Sequence, residues 1–423
     1  MLYASNPRCF FEACPGGGGV LIGILARRGR IGWRRGHRFS LMERDEILLN
    51  LATLCFFLTI HSVAPYLSQY AVELGASEGM VALLGPFFAF SAMAFRSLSG
   101  FLADRGWTKW LLVAGASIST AAQGIYMLST GVSMLYAGRF IQGAAIAIFI
   151  PASFQAAAIG ERDRVIRSLA WRNTITGVSF ALGPALGGYV AQHLGYRSLF
   201  MVSTSSGLMA SILALAIDCS RFSQEPRSSR KGREEGFAER GFLSALASLL
   251  LYSSSYSCMV LFLPAYHKEN GLETSLIAVF FTAMAISSLI SRILFTQVIG
   301  ILSVEGTALA GVFLASMGYL AVSMNPLSEG IVYYGILTGL GAGLAIPSLQ
   351  VIAITGIPQG RRGMASAIYT AMFDLGNLTG PAIAAIIAGN YREMIEVASY
   401  MALATIAPLA ILGIAKIRGT RSH

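Results

Sequence analysis

The amino-acid sequence predicts an all-α membrane protein of twelve transmembrane helices, arranged as two pseudo-symmetric bundles of six. Of its 423 residues, 55% are hydrophobic and only 12% are charged, whereas about 25% of residues are charged in soluble domains. Apolar runs long enough to cross a ~30 Å hydrocarbon core recur along the chain. The two halves of the chain also repeat one another in sequence.

Candidate spans follow one another almost without pause from Met42 onward. Because backbone groups in lipid must be hydrogen-bonded within the chain, each span is expected to be a helix. A polar stretch from Ser220 to Arg240 follows the sixth span, so we predict bundles over 42–219 and 241–423 joined by a linker over 220–240. The predicted spans lie near residues 46–69, 77–100, 107–129, 132–158, 168–192, 197–219, 241–266, 272–299, 304–325, 329–354, 363–388 and 394–416.

Residues 1–41 differ from the rest of the chain. They contain a glycine run, a short apolar patch and then six arginines between Arg27 and Arg38. A signal peptide carries its positive charge before the apolar stretch, and this patch is too short to span a membrane. Two interpretations stay open: a disordered basic tail, or translation that starts at Met42, which we favour.

The distribution of basic residues predicts the orientation. When residues 1–41 are left aside, the basic residues lie mostly in short loops on one side of the predicted bundle, whereas the other side carries only Arg197, Lys268 and Arg392. This asymmetry is typical of cytoplasmic loops. We therefore expect a multi-pass protein of the cell membrane with both termini in the cytoplasm, and no nucleic-acid partner.

The two halves match at a shift of 196 residues. The shift pairs Tyr70 with Tyr266 and Arg96 with Arg292, and it also pairs two prolines and several glycines. One inserted residue later, Gly183-Pro184 pairs with Gly380-Pro381. A parallel repeat of six helices predicts a binding site between the halves near the membrane centre.

Several chemistries lack their sequence signatures. There is no Gly-rich phosphate loop ending in Lys-Ser or Lys-Thr, no metalloprotease histidine pair and no nucleophile elbow. The five cysteines show no metal-ligand spacing. We expect no enzyme activity, no catalytic residue, no metal and no cofactor.

The loop after the second span reads Gly100-Phe-Leu-Ala-Asp104-Arg105-Gly-Trp-Thr-Lys109. Gly100 permits a close helix contact, and Asp104 suits the positive end of a neighbouring helix. The segment resembles the cytoplasmic loop signature of the major facilitator superfamily, with Gly106 early and Thr108 at a usually basic place. The resemblance extends from Met42 to the C-terminus. It implies that this loop contacts the eleventh span near Gly363 and holds one transport state closed, unless the loop only sets orientation.

Two further segments resemble signatures of the same family. In the fourth span, Arg139 and Gln142 share a helix face, and Arg139 is deep enough to need an inward partner or water, or else to snorkel to the surface. The fifth span, with Gly183, Pro184 and Gly187, resembles the signature of proton-driven exporters, although Ser179 replaces a usual glycine. Its glycines and proline, like Gly380 and Pro381 in the eleventh span, predict tight packing and a hinge.

Asp374 is the most informative single residue. It follows Arg362 by 12 residues, about 18 Å along a helix, so it lies near the membrane centre, where a carboxylate tends to hold its proton. We expect Asp374, with Asn377 on the same face, to couple protons or bind a cationic substrate; the alternative is a protonated hydrogen bond between helices. His61 and Asn173 are candidate polar residues of the same crevice, or structural. Aromatic candidates for its lining, or for packing, are Tyr252, Tyr256, Tyr369 and Phe373.

Together these features predict a secondary transporter that moves a small solute by alternating access, driven by an ion gradient, which we expect to be one of protons. Within that class we favour export of an amphipathic or drug-like compound. The alternative is uptake of a sugar, organic acid or other metabolite by a symporter or facilitator. The expected partners are the small-molecule substrate and the lipid bilayer, and we expect a monomer.

Overall fold

The computed structural model describes residues 44–158, 162–218, 240–355, 357 and 362–412, and these ranges contain helices and turns but no strand. The predictions for residues 1–41 and for most of the linker lie outside the described residues. The helices are α1 Arg44–His61, α2 Ala64–Glu73, α3 Glu78–Leu102, α4 Thr108–Leu128, α5 Val132–Ala157, α6 Arg162–Ala216, α7 Arg240–Glu269, α8 Thr274–Ile293, α9 Phe295–Met324, α10 Ile331–Thr355, α11 Arg362–Ile387 and α12 Tyr391–Ala404.

Within the described ranges, eleven helices are long and apolar enough to cross a membrane. One of them covers α1 and α2, which are separated near Pro65, a residue favoured in a first helical turn. Another, Arg167–Ala216, has 50 residues, more than twice the ~20 needed for one crossing. Its backbone leaves the helical region at Gly195 (φ 82, ψ 168), a conformation open mainly to glycine. The predicted twelve spans are obtained only when this helix is divided there.

The helix ends form two faces of the bundle. One face, here called the basic face, includes the ends at Arg44, Thr108 and Arg240; near it the Thr108 hydroxyl donates to Gln155 Oε1 at 2.5 Å. The other, here called the opposite face, includes the ends of α2 and α7, where Lys268 Nζ lies 2.8 Å from Glu73 Oε2. Each membrane-spanning segment therefore begins at one of these faces and ends at the other.

Glycine contacts repeat in the two halves with the predicted spacing. A Cβ atom at Gly143 would overlap the carbonyl oxygen of Phe88, and one at Gly339 would overlap that of Met284, 196 residues further on in both cases. Likewise, a Cβ at Gly115 would lie 2.9 Å from the backbone nitrogen of Phe149, and one at Gly311 would lie 2.5 Å from that of Ala345. Small residues let backbones approach this closely in membrane bundles, so the repeat is present in the packing as well as in the sequence.

The apolar cores differ between the two faces. Toward the opposite face, one cluster combines residues of both halves, such as Tyr66 and Leu67 with Phe262 and Ile277. Toward the basic face, the described residues form separate clusters, one within 49–217 and another within 242–412. The halves thus share an apolar cluster at the opposite face and have separate apolar clusters toward the basic face. From this difference we infer a crevice between the halves that opens toward the basic face.

Candidate functional site

An ion pair joins the two halves inside the membrane-spanning region. Arg96 Nη1 of α3 lies 2.6 Å from Asp374 Oδ2 of α11, and the two side chains are 27% and 11% exposed. An isolated carboxylate in the membrane interior is costly, and a paired cation offsets much of that cost. Proton binding to Asp374 would therefore remove a charge interaction that connects the first half with the second.

Sequence reasoning identified Asp374 but missed Arg96 as a site residue. Arg96 entered only as the repeat partner of Arg292, although it lies 18 residues after the start of α3 at Glu78, about 27 Å along the helix. A basic residue inside an apolar span was the available signal. Its partner could not be inferred, because the contact depends on how α3 packs against α11.

Asn377 follows Asp374 by one turn and is half-buried. Its backbone oxygen accepts a hydrogen bond from Ser257 Oγ at 3.3 Å. A Cβ atom built at Gly85 of α3 would lie 3.5 Å from this Asn377 oxygen and 3.2 Å from Cγ of the Pro381 ring. The α11 segment from Asp374 to Pro381 therefore lies along α3 of the other half.

The predicted pair of Arg139 and Gln142 is buried within the first half. Arg139 is 5% exposed, and its Nη1 donates to Gln142 Oε1 at 3.1 Å. The Tyr126 hydroxyl donates to the same oxygen at 3.1 Å, and the guanidinium lies 5.6 Å from the centre of the Phe88 ring. Arg139 thus faces inward, as expected from its depth, and does not snorkel. The structure does not bring it to Asp374.

His61 lies in a contact between α1 and α6. Its Nδ1 is 3.2 Å from Ser179 Oγ, and its ring packs against Phe57 and Phe180 at centroid distances of 5.5 and 5.0 Å. Ser179, the departure from the family signature, is therefore the polar contact of His61. This arrangement matches the structural alternative for His61.

Asn173 contacts Arg172, a buried cation that sequence reasoning also missed. Its Oδ1 accepts a hydrogen bond from Arg172 Nη1 at 3.3 Å. Arg172 also donates to Ser153 Oγ through Nε at 3.0 Å and Nη2 at 2.8 Å. The guanidinium lies 3.6 Å from the centre of the Phe154 ring. Arg172 is 3% exposed, whereas Asn173 is exposed, so the pair marks the edge of the first half near the basic face.

The predicted gating loop is a π-helical turn over Ala103–Trp107 with Gly106 at φ 85. The early glycine therefore meets a backbone requirement. Arg105 stacks 4.0 Å over the Phe101 ring, and Lys109 is half-buried. The side chain of Asp104 and those at the start of α11 lie outside the described residues, so the expected contact stays a prediction. The close helix contact expected at Gly100 is wrong: among described residues, no heavy atom lies within 4 Å of a Cβ built there.

The predicted packing glycines do make close contacts. A Cβ at Gly183 would lie 2.5 Å from His61 Cβ, and one at Gly187 would overlap the carbonyl oxygen of Ser62. The Pro184 carbonyl oxygen accepts a hydrogen bond from the Tyr66 hydroxyl. A Cβ at Gly380 would lie 2.5 Å from Ser254 O. These contacts account for the small residues by packing, and the hinge stays a prediction.

The aromatic candidates lie on α7 and α11 of the second half. Tyr252 and Tyr369 are 3% and 6% exposed, and the Tyr369 hydroxyl donates to Ile346 O at 2.8 Å. Tyr256 and Phe373 have ring centroids 6.4 Å apart. Within the described ranges, no three His, Cys, Asp or Glu side chains are grouped closely enough to hold a metal ion.

A family profile described as Major Facilitator Superfamily matches residues 49–381. The chain belongs to the Major Facilitator Superfamily. The family resemblance drawn from Gly100, Arg139 and Gly183 is therefore confirmed, and the chain is a multi-pass membrane protein of a family of transporters.

Relatives of known name match parts of the chain. A methylenomycin A resistance protein of Bacillus subtilis (strain 168) is 33% identical over 158 residues, which is 36% of this chain and 34% of the relative. The quinolone resistance protein NorA of Staphylococcus aureus (strain Mu50 / ATCC 700699) is 25% identical over 177 residues, 42% of this chain and 45% of the relative. The chain thus spans less than half the length of these relatives.

Solved structures share the fold over most of the chain. A mutant form of the nucleoside transporter NupG matches with a TM-score of 0.72 and 12% identity, covering 87% of this chain and 99% of NupG. A bacterial homolog of the human lysosomal transporter Spinster, in an inward-facing and unoccupied conformation, matches with a TM-score of 0.69 and 14% identity, covering 87% of this chain and 94% of the homolog. At such low identity these likenesses bear on the fold alone.

Proposed function

We propose that the chain is a proton-coupled exporter of small amphipathic or drug-like molecules. The observation that carries this proposal is the Arg96–Asp374 ion pair, which links the two halves beside the crevice. Support also comes from the drug-resistance names of the two relatives that match parts of the chain.

The transport cycle follows from the packing of the halves. The crevice, open toward the basic face, receives the compound while the shared apolar cluster seals the opposite face. After the halves have rearranged and the compound has left at the opposite face, a proton from that side neutralises Asp374. Arg96 then lacks its counter-charge, so the link between α3 and α11 weakens and the halves return to the state open at the basic face. Release of the proton at the basic face restores the carboxylate and the ion pair, so that protons move inward as the compound moves outward. The ion gradient supplies the driving force, and no cofactor takes part.

The membrane orientation is part of the proposal. The excess of Lys and Arg on the basic face favours the cytoplasm for that face. The protein then resides in the cell membrane as a monomer, with both termini in the cytoplasm. Under this orientation the crevice is open to the cytoplasm, where an exporter loads its substrate.

Uptake of a metabolite is the second candidate. A likeness in fold to the nucleoside transporter NupG is the observation that favours it. That likeness does not extend to the site, because identity is only 12% and one fold carries many substrates. Export and uptake differ in the direction of flux under an imposed gradient.

Flux in proteoliposomes tests the proposal. Purified protein is reconstituted, a pH gradient is imposed, and a panel of drug-like and metabolite compounds is followed with wild type, Asp374→Asn and the control Glu396→Gln. Glu396 is a matched carboxylate, 39% exposed, that pairs with Arg392 on the same helix. We expect gradient-driven flux with wild type and the control, and loss of its proton dependence with Asp374→Asn. Undiminished proton-dependent flux in Asp374→Asn would remove Asp374 from the mechanism.

A further inference from the structure

We infer that the guanidinium of Arg292 binds the anionic group of the transported molecule, so that the substrate is an aromatic or apolar compound with one carboxylate. This inference rests on the proposed function and names its substrate class. It starts from an asymmetry between the two repeats at Arg96 and Arg292.

The two arginines occupy equivalent places. Arg96 lies 18 residues after the start of α3 at Glu78, and Arg292 lies 18 residues after the start of α8 at Thr274. Both are therefore about 27 Å from the opposite-face end of their helix. The helix α3 packs against α11 of the other half, and α8 packs against α6. Each arginine thus lies on a helix at the seam between the halves.

The repeat gives only one of the two arginines a counter-charge. The register that relates Gly183-Pro184 to Gly380-Pro381 places Gly177 of α6 where Asp374 stands in α11. A Cβ atom at Gly177 would lie 3.5 Å from Leu289 Cδ1, one turn before Arg292 on α8. Gly177 therefore faces α8 near Arg292, but it has no side chain with which to balance the positive charge.

Arg292 has no ion pair with any described residue, unlike Arg96 and Arg392. Its side chain is exposed, yet its charge interacts with the phenols of Tyr252 and Tyr369, which are buried. We take this guanidinium to face the crevice, because it lies on a helix at the seam between the halves and interacts with buried residues of α7 and α11. It is the second-last residue of α8, toward the basic face.

The chemistry of the crevice then selects the ligand. The Arg96–Asp374 pair is neutral as a unit, whereas Arg292 adds a positive charge that no described residue balances with an ion pair. A guanidinium recognises a carboxylate through two parallel hydrogen bonds. The rings of Tyr256 and Phe373, 6.4 Å apart, provide an apolar surface in the same half. A carboxylate joined to an aromatic body matches both features.

Binding of three probes with one ring system tests the inference. The probes are 1-naphthoate, 1-naphthylmethanol and 1-naphthylmethylammonium, measured by equilibrium dialysis with the full chain in dodecyl maltoside. We expect wild type to bind the anion about tenfold or more tightly than the alcohol, and the ammonium least, because a hydrogen bond to a charged group favours the anion by that order. Wild type that ranks the ammonium first, or that does not prefer the anion, would overturn the inference even if no variant folds.

Variants assign the preference to Arg292. Arg292→Gln should reduce naphthoate affinity about tenfold, Arg292→Lys should retain part of it, and Gly177→Asp should reduce it by supplying an internal carboxylate. The control Arg392→Gln removes a surface arginine, 54% exposed, and should bind like wild type. Unchanged naphthoate affinity in Arg292→Gln would overturn the assignment.

A lipid phosphate is another anion that a guanidinium accepts. The dialysis is therefore repeated in nanodiscs with and without phosphatidylglycerol. Naphthoate binding that persists in both discs supports a solute site, and its loss with phosphatidylglycerol assigns Arg292 to headgroups and contradicts the inference. Because these measurements record binding, they stay separate from the flux experiment: absent flux with intact naphthoate preference would reject the exporter and keep the anion site.

Discussion

Removal of Arg96 should destabilise the protein through the carboxylate left behind on Asp374. Loss of one partner of a buried ion pair costs about 3–5 kcal/mol. The two side chains are 27% and 11% exposed, and solvent screening lowers the value for such pairs, so we expect about 2 kcal/mol for Arg96→Gln. The double variant Arg96→Gln/Asp374→Asn leaves no unpaired charge and should be less destabilised than the sum of the singles, with a coupling of about 1–2 kcal/mol.

The measurement is unfolding by sodium dodecyl sulfate in mixed micelles, followed by tryptophan fluorescence. The same reasoning gives the sign of the pH effect. Acid that neutralises Asp374 should reduce the loss of unfolding free energy in Arg96→Gln relative to wild type, and it should leave the unfolding free energy of the double variant unchanged. The surface variant Arg392→Gln serves as the control. Additivity of the two single variants within about 0.5 kcal/mol, with no pH dependence, would refute the idea that the pair is energetically coupled across the halves.

Three further predictions concern packing, a buried amide and the seal. Gly143→Leu should destabilise by about 1–3 kcal/mol or abolish folding through overpacking, whereas Gly100→Leu should be near neutral, as measured by the same unfolding titration. Gln142→Leu should cost about 1–3 kcal/mol, because it removes the acceptor of the buried Arg139 donor. Lys268→Gln, which removes a pair exposed by 33% and 49%, should cost less than about 1 kcal/mol but should increase labelling of a single cysteine introduced at the opposite face.

Each of these has a contrary result. Equal effects of leucine at Gly143 and Gly100 would mean that the helix contact at Gly143 does not limit side-chain size. A Gln142→Leu protein as stable as wild type would mean that Arg139 finds another acceptor. Unchanged labelling in Lys268→Gln would mean that the Glu73 pair does not help close the opposite face.

Hydropathy predicted most helices within a few residues, as for α5, predicted at 132–158 and found at Val132–Ala157. Errors occur where an apolar run continues through a turn. The eighth span was predicted to end at 299, but α8 ends at Ile293 and α9 begins at Phe295. Since neither Gly nor Pro lies at that turn, its sequence carries no local signal.

The candidate site was less predictable than the fold. The depth of Asp374 follows from counting residues along one helix, but its pairing with Arg96 joins positions far apart in the chain. One partner of the Arg139 site could be predicted, because Gln142 is only three residues away on the same helix. Tyr126 could not, because it lies on another helix. The glycine at 100 illustrates the opposite error: a family signature kept the residue, but the local packing does not require it.

The apolar seal at the opposite face has an energetic consequence for the direction of turnover. Tyr66, Leu67 and Phe262 are fully buried in a cluster that both halves share, so opening at that end exposes these side chains to water, whereas closing the basic face buries surface. In the absence of substrate and gradient, hydration of that seam is the uphill step. The resting protein then favours the state that is open at the basic face, and in the proposed cycle the proton gradient supplies the free energy for exposing the opposite face to water.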